Sequence, residues 1–456
     1  MRRATAALLA AASAAAAAPA LTYVPISSPS VRWLGRRVAM PAVVPPRAVD
    51  AAAAAPANGT TVFAIDWEGT EAELGVERAT VVAALILDSS GGNSRFAAYL
   101  STINTTEAAA VAVGGGVADP DPSANAVPGL RTTLLTTSAV QTVYVLASGP
   151  ILTALPGGVR VRLQLLTEPS FIGDDEAGPL QLAGFLTDGA VLPPRPLAAR
   201  RLEILGDSLT AGYGAGFDDP VAPPAGGPPG PPPPLPAPLQ PCGGGVPIND
   251  VSLTYGARLC AAFAADCSWA AVSGVCIMAH PGGNLGSYWN VTLGSMLGRG
   301  RWGRYLAPWD QCDPALGGGP RVPDGVIVNL GENDMHAAPK PLPLAWLAQL
   351  ASSYVEFVGV LWAAYARCSG SSDRSSPVFF LAIGPHEAGQ SAAIAQALPA
   401  LVAAGYRAVL LNATVPLPPA LPAGCGGHPG PSLHAASAQR AAPVLSGVLN
   451  WSYTGL

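Results

Sequence analysis

From about Val31 to Leu192 the chain is a series of short apolar runs divided by Gly, Pro, Asp and Asn. Val159, Val161, Leu163 and Leu165 alternate with Arg160, Arg162 and Gln164. That period of two marks a strand with one buried face. Thr61 to Trp67, Val81 to Leu87 and Thr142 to Leu146 have the same character. Strands that follow one another without long helices predict an antiparallel sandwich. Pro193-Pro194-Arg195-Pro196 ends the pattern, so a β-sandwich domain is placed at 21–195.

Beyond the prolines the alternation changes period. Apolar strands at 202–205, 269–273, 326–330, 377–383 and 407–411 are interleaved with helical stretches near 252–265, 343–366, 391–403 and 434–449. In the second helical stretch Leu344, Leu347, Leu350, Tyr354, Phe357 and Leu361 recur at spacings of three and four. Strand and helix in turn predict an α/β domain over 196–456, its parallel sheet doubly wound with helices on both faces. Ligand sites of such sheets lie outside the carboxyl ends of the strands. The Pro/Gly segment 220–241 breaks this domain as a polyproline-like surface insertion.

Composition narrows the function. The 456 residues carry a net charge of −5 with only 12% charged residues, and Lys340 is the only lysine. No basic stripe exists to neutralise phosphates, so a nucleic-acid partner is excluded. Arg2 and Arg3 precede an Ala/Leu run from Ala4 to Ala18 and then Pro19-Ala20, the pattern of a signal peptide over 1–20. The run is too short for a membrane span. Five Asn-X-Ser/Thr sequons, at Asn58, Asn104, Asn290, Asn412 and Asn450, fit a secreted glycoprotein. All seven cysteines (242, 260, 267, 276, 312, 368 and 425) fall in the second domain, none at zinc-pair spacing. Two or three disulfides are expected, Cys260 with Cys267 among the pairings to consider. No metal or organic cofactor is expected, and the chain is expected to be a monomer.

The chemistry gathers at the strand ends. Leu202 to Gly206 is an apolar strand that breaks into Asp207-Ser208-Leu209. A serine there, opening a helix, is placed to attack a carbonyl while its own N–H faces the oxyanion that forms. Three later blocks complete the set: Ser273-Gly274, Gly331-Glu332-Asn333-Asp334, and Cys425-Gly426-Gly427-His428-Pro429 before the last helix. His428 supplies a general base. The N–H groups of Ser208 and Gly274 and the Asn333 amide supply oxyanion donors. Each block alone is an ordinary turn, cap or loop; their order beyond successive strands makes them a site. Asp207 and Asp334 are expected to tie the site's loops together through backbone N–H bonds. His434 and His336 are the alternative bases. Trp289, Trp302 and Trp309 lie between the second and third blocks, with Trp309 and Trp289 as a possible stacking platform for a sugar.

The four blocks resemble the SGNH/GDSL hydrolase superfamily over roughly residues 200–450, which implies a flavodoxin-like catalytic domain. More narrowly the chain resembles carbohydrate esterase family 2 acetylesterases, in which a jelly-roll sandwich precedes that domain. The matching pieces are Val31 to Arg36, Trp67-Glu68-Gly69-Thr70, Thr167-Glu168, Gly184-Phe185, the Gly206-to-Gly214 block, Thr254 to Leu259, and Gly424-Cys425 with His428-Pro429. The resemblance implies a secreted serine esterase that deacetylates poly- or oligosaccharides. One departure stands out. The superfamily usually orients its histidine by an aspartate three residues earlier, and Cys425 occupies that position. A serine–histidine dyad, its histidine oriented by a backbone carbonyl of the Gly426-Gly427 loop, is the expectation here. The other two readings are a carbohydrate-binding protein that has lost turnover and a glycan O-acetyltransferase using the same Ser208 and His428.

Overall fold

The computed structural model describes residues 21–34, 38–41, 61–65, 70–88, 92–103, 133–138, 143–149, 151–154, 157–167, 180–215, 249–278, 322–385, 389–415 and 428–456. The expected signal peptide, the Pro/Gly insertion, Trp289, Trp302, Trp309 and Cys425 to Gly427 lie outside the described residues.

The first part of the chain builds two antiparallel six-stranded sheets. One contains β1 (Thr22–Pro25), β3 (Val38–Pro41), β4 (Thr61–Ala64), β6 (Val81–Asp88), β9 (Val143–Ser148) and β11 (Leu180–Thr187). The other contains β2 (Val31–Leu34), β5 (Glu71–Glu77), β7 (Gly92–Thr102), β8 (Thr133–Ser138), β10 (Val159–Thr167) and β12 (Ala190–Val191). Their facing side chains, among them Leu74, Val76, Ile86, Phe96, Val161, Leu163 and Phe185, form one dry core. This is the expected sandwich, and the apolar members of the Val159-to-Leu165 alternation point into it.

The second part is a parallel sheet of β13 (Arg201–Gly206), β14 (Asp266–Ala271), β15 (Gly325–Asn329), β16 (Val378–Ile383) and β17 (Ala408–Asn412), in the order β14-β13-β15-β16-β17. That order reverses direction at β13, the flavodoxin-like topology, with its switch point between β13 and β15. The long helices are α2 (Tyr255–Ala262), α4 (Leu344–Ser369), α5 (Ser391–Ala403) and α6 (Pro431–Leu449), with α1 (Ser208–Ala211) and α3 (Glu332–Ala337) as short helices at the strand ends. Leu202 and Ile204 bury against α2 and α6 on one face. Leu205, Val326 and Val328 bury against α4 and α5 on the other. Among the described residues α4 is the one helix long and apolar enough to cross a membrane by length and composition. Its stripe of Leu347, Leu350, Tyr354, Phe357 and Leu361 is part of the domain core.

Two expectations are corrected. Arg160 and Gln164, read as the wet face of a half-buried strand, are only 5% and 3% exposed. They belong to a charged layer that the sandwich turns toward the α/β domain. There Glu71, Glu73, Arg160, Arg162 and Arg195 form ion pairs, and Gln164 donates to Glu71 Oε1. Burial raises the Glu71 pKa above the ordinary carboxylate value. Burial also works against charge on Glu73, but the guanidinium groups of Arg195, Arg32 and Arg160 outweigh it and lower that pKa. Strand β14, read as starting at Trp269, starts at Asp266 instead. The polar residue is admitted because its carboxylate pairs with Arg32 of β2 and accepts the Ala198 N–H at 2.8 Å.

Candidate active site

The turn that carries Ser208 follows from one glycine and one aspartate. A Cβ on Gly206 would lie 2.1 Å from Thr210 Oγ1 and 2.7 Å from the Asn329 carbonyl oxygen, so only glycine lets β13 turn this tightly into α1. Asp207 caps α1, its Oδ1 accepting the Leu209 N–H at 3.1 Å. Ser208 is the first helical residue and 6% exposed. The histidine predicted as base meets it: His428 Nε2 is 2.9 Å from Ser208 Oγ. With the ring proton on Nδ1, the serine hydroxyl donates to Nε2, the arrangement a general base requires. The carbonyls of Gly426 and Gly427, expected to hold Nδ1, lie outside the described residues.

The other expected oxyanion donors lie in the segments that follow the two strands flanking β13. Gly274 has φ +78° and follows β14, with the turn closed by the Val275 N–H donating to the Val272 carbonyl. Asn333, in α3, comes from the far side of the switch point. Its Nδ2 donates to the Val275 carbonyl at 3.0 Å and, at 3.4 Å, to Asp207 Oδ2. The first bond holds the side chain. The second is at the long limit for an N–H···O bond, so that hydrogen is the one an oxyanion can draw.

The two aspartates are structural in their contacts. Asp334, fully buried, accepts the backbone N–H groups of Ile277 at 3.0 Å and Met278 at 2.8 Å, which ties the Gly274 turn to α3. For Asp207, burial outweighs the backbone N–H bonds it accepts and pushes its pKa up to about 7, with the Asp334 charge adding to the shift. The alternative bases sit elsewhere. His336 is exposed, and His434 is buried inside α6, its Nδ1 accepting the Tyr255 N–H at 3.3 Å. Cys276 is a buried free thiol whose pKa burial pushes well above the ordinary value, which makes it inert as a nucleophile. Cys260 and Cys267 are disulfide-bonded across the end of α2, as considered from the sequence, and Cys368 is also disulfide-bonded. Among the described residues no group of three or more His, Cys, Asp or Glu could hold a metal ion.

Three further contacts that hold the site were not singled out in the sequence. Tyr213 packs its ring 4.6 Å from that of His428, limiting how the imidazole can turn. Tyr255 Oη and Thr210 Oγ1 are 3.1 Å apart, fixing α1 to α2. Tyr354 donates to the Leu330 carbonyl beneath Gly331, whose φ of +101° and close neighbours require glycine.

The sequence matches no family model and no curated protein. Solved structures do match over nearly the whole chain. A family two carbohydrate esterase from Cellvibrio japonicus is 17% identical, with 95% of this chain and 99% of that one covered and a TM-score of 0.61. A carbohydrate esterase family 2 enzyme with a carbohydrate binding domain, from Corynascus thermopiles (Myceliophthora fergusii), is 22% identical, covering 92% and 100%, with a TM-score of 0.58. An acetyl xylan esterase from the rumen bacterium Butyrivibrio proteoclasticus is 17% identical, covering 94% and 99%, with a TM-score of 0.60. The fold is therefore an SGNH-type α/β domain behind a β-sandwich. In its particulars it is the two-domain architecture seen in carbohydrate esterase family 2 structures.

Proposed function

We propose that this protein is a secreted serine esterase that removes acetyl groups from sugar hydroxyls through an acyl-enzyme. The reading is carried by the 2.9 Å contact between His428 Nε2 and Ser208 Oγ at the switch point of the parallel sheet. Ser208 Oγ attacks the ester carbonyl as His428 takes its proton. The oxyanion is met by the N–H groups of Ser208 and Gly274 and by the Asn333 amide. His428 returns the proton to the departing sugar oxygen, and water, activated by the same ring, then releases the acid. Structural neighbours that are carbohydrate esterases, one of them named an acetyl xylan esterase, support an acetylated polysaccharide as substrate. Export is supported by Arg2, Arg3 and the Ala4-to-Ala18 run, and a disulfide at Cys260 and Cys267 fits an oxidising compartment.

The test is acetate release from acetylated xylan, acetylated mannan and 4-nitrophenyl acetate. Ser208→Ala is expected to lower kcat by at least about a thousandfold, the scale of losing a nucleophile. An unmodified chain with no turnover on any of these would overturn the esterase reading. Transfer to an added sugar acceptor that outruns hydrolysis would replace it with acyltransfer.

A further inference from the structure

Between the sandwich and the α/β domain lies a cavity of about 480 Å³, within the size range of small-molecule sites and in the kind of place such sites favour. It is bounded by the charged face of β5, β7 and β10 on one side and by α2, β14 and the 3-10 turn Val251–Leu253 on the other. The Ser208–His428 pair is not among the residues that line it. Its polar wall is held in place. Gln164 Nε2 donates to Glu71 Oε1 at 2.6 Å, Tyr99 Oη donates to Gln164 Oε1 at 3.1 Å, and the Arg162 guanidinium covers one face of the Tyr99 ring at 4.3 Å. Across from it, Asp250 accepts from the Ser252 N–H and hydroxyl. The side chain of Arg162 keeps 31% of its surface accessible and that of Arg195 20%, so the cavity is reached from solvent.

Trp269, 3% exposed, closes one side of the cavity with its ring, while its indole Nε1 is turned against Gly256 of α2 and is sealed from the cavity. The wall also limits the charge of an occupant. Any anion meets Glu71 and Asp250, and any cation meets Arg162 and Arg195. Hydroxyl groups satisfy both sets, because each can donate to a carboxylate and accept from a guanidinium. The apolar remainder, Ala257, Ala261 and the Cys260–Cys267 disulfide, suits the C–H face of a sugar ring.

From these features we infer that the interdomain cavity binds a neutral sugar of about one or two rings, at a site separate from the Ser208 centre. The inference stands on the cavity wall and is independent of the esterase reading. The experiment is calorimetric titration of the full chain carrying Ser208→Ala with cellobiose and with xylobiose, using glucuronate and glucosamine as charged counterparts. A neutral disaccharide is expected to give saturable heat. Affinity is expected to fall at least about tenfold in Ala257→Phe, which drives a ring from α2 into the cavity, and in Gln164→Leu, which dismantles the Glu71–Tyr99 wall. With Ser208 restored, Ala257→Phe is expected to hydrolyse 4-nitrophenyl acetate normally if the parent does, and to keep the parent's near-UV circular dichroism in any case. No saturable heat, stronger binding of either charged sugar, or isotherms unmoved by both substitutions would overturn the site. Should Ala257→Phe misfold, Gln164→Leu decides alone.

Discussion

At the scale of single residues the proposed reaction divides the site into groups that would react and groups that hold them. Asn333 would do both in that proposal, with one amide hydrogen anchored on the Val275 carbonyl and the other, turned toward Asp207 at 3.4 Å, left for the oxyanion. Asn333→Ala is expected to lower kcat on 4-nitrophenyl acetate by about 100- to 1000-fold with a smaller change in KM, the signature of a donor used in the transition state. An equal loss in both directions, or none, would remove Asn333 from the oxyanion site. Asp207 carries a different prediction. Its pKa in the fold is raised from 3.8 to about 7 by burial and by the Asp334 charge, so the folded state binds the proton that the unfolded chain releases. Its stability contribution is therefore complete below about pH 4 and lost as pH rises through about 7. Asp207→Asn is neutral throughout that window. The stability of the parent relative to this variant, from urea unfolding, is expected to fall by about 2–4 kcal/mol between pH 5 and pH 8. A difference that stays flat would show that Asp207 is ionised over the whole range.

At the scale of elements, what matters is how sharply β13 passes into α1. Gly206→Ala places a methyl against Thr210 Oγ1 and the Asn329 carbonyl, and the neighbouring strand β15 has no room to yield. The expected cost is about 1–3 kcal/mol of stability, with a loss of kcat because Ser208 is displaced from His428. Unchanged kinetics in a folded Gly206→Ala protein would mean that the turn tolerates a looser path. These turns were legible in the sequence because each lies where an apolar run ends in Gly, Ser, Asn or Asp. The same rule located the strands of the parallel sheet to within a few residues and singled out Ser208, which lies 2.9 Å from His428. The contacts of Tyr213 with His428 and of Thr210 with Tyr255 were not legible, although the residues fall in the Gly206-to-Gly214 and Thr254-to-Leu259 blocks, because a local pattern does not say which ring meets which partner across elements. Strand β14 was misjudged at its start for a related reason. Local pattern favours Trp269 as the first buried residue, whereas Asp266 is buried by a partner 234 positions away.

That partner belongs to the scale of the whole molecule, where two domains meet through charge as well as through apolar surface. Arg32 of β2 pairs with Asp266 of β14, and side-chain exposures of 4% and 6% leave neither in water. Removing one member strands the other in a medium that solvates it poorly, so Arg32→Ala is expected to cost about 3–5 kcal/mol in urea unfolding of the full chain. Asp266→Leu alone is expected to be similarly costly, and the double variant Arg32→Met with Asp266→Leu to recover most of the loss, because two apolar side chains leave no buried charge. Recovery stops short of the parent. Asp266 Oδ2 also accepts the Ala198 N–H at 2.8 Å, and a leucine leaves that donor unmet at about 1–3 kcal/mol. A double variant as unstable as the sum of the singles would show that the pair is not desolvated in solution. A single unfolding transition that splits into two in Arg32→Ala would show in addition that this contact couples the sandwich to the domain carrying Ser208.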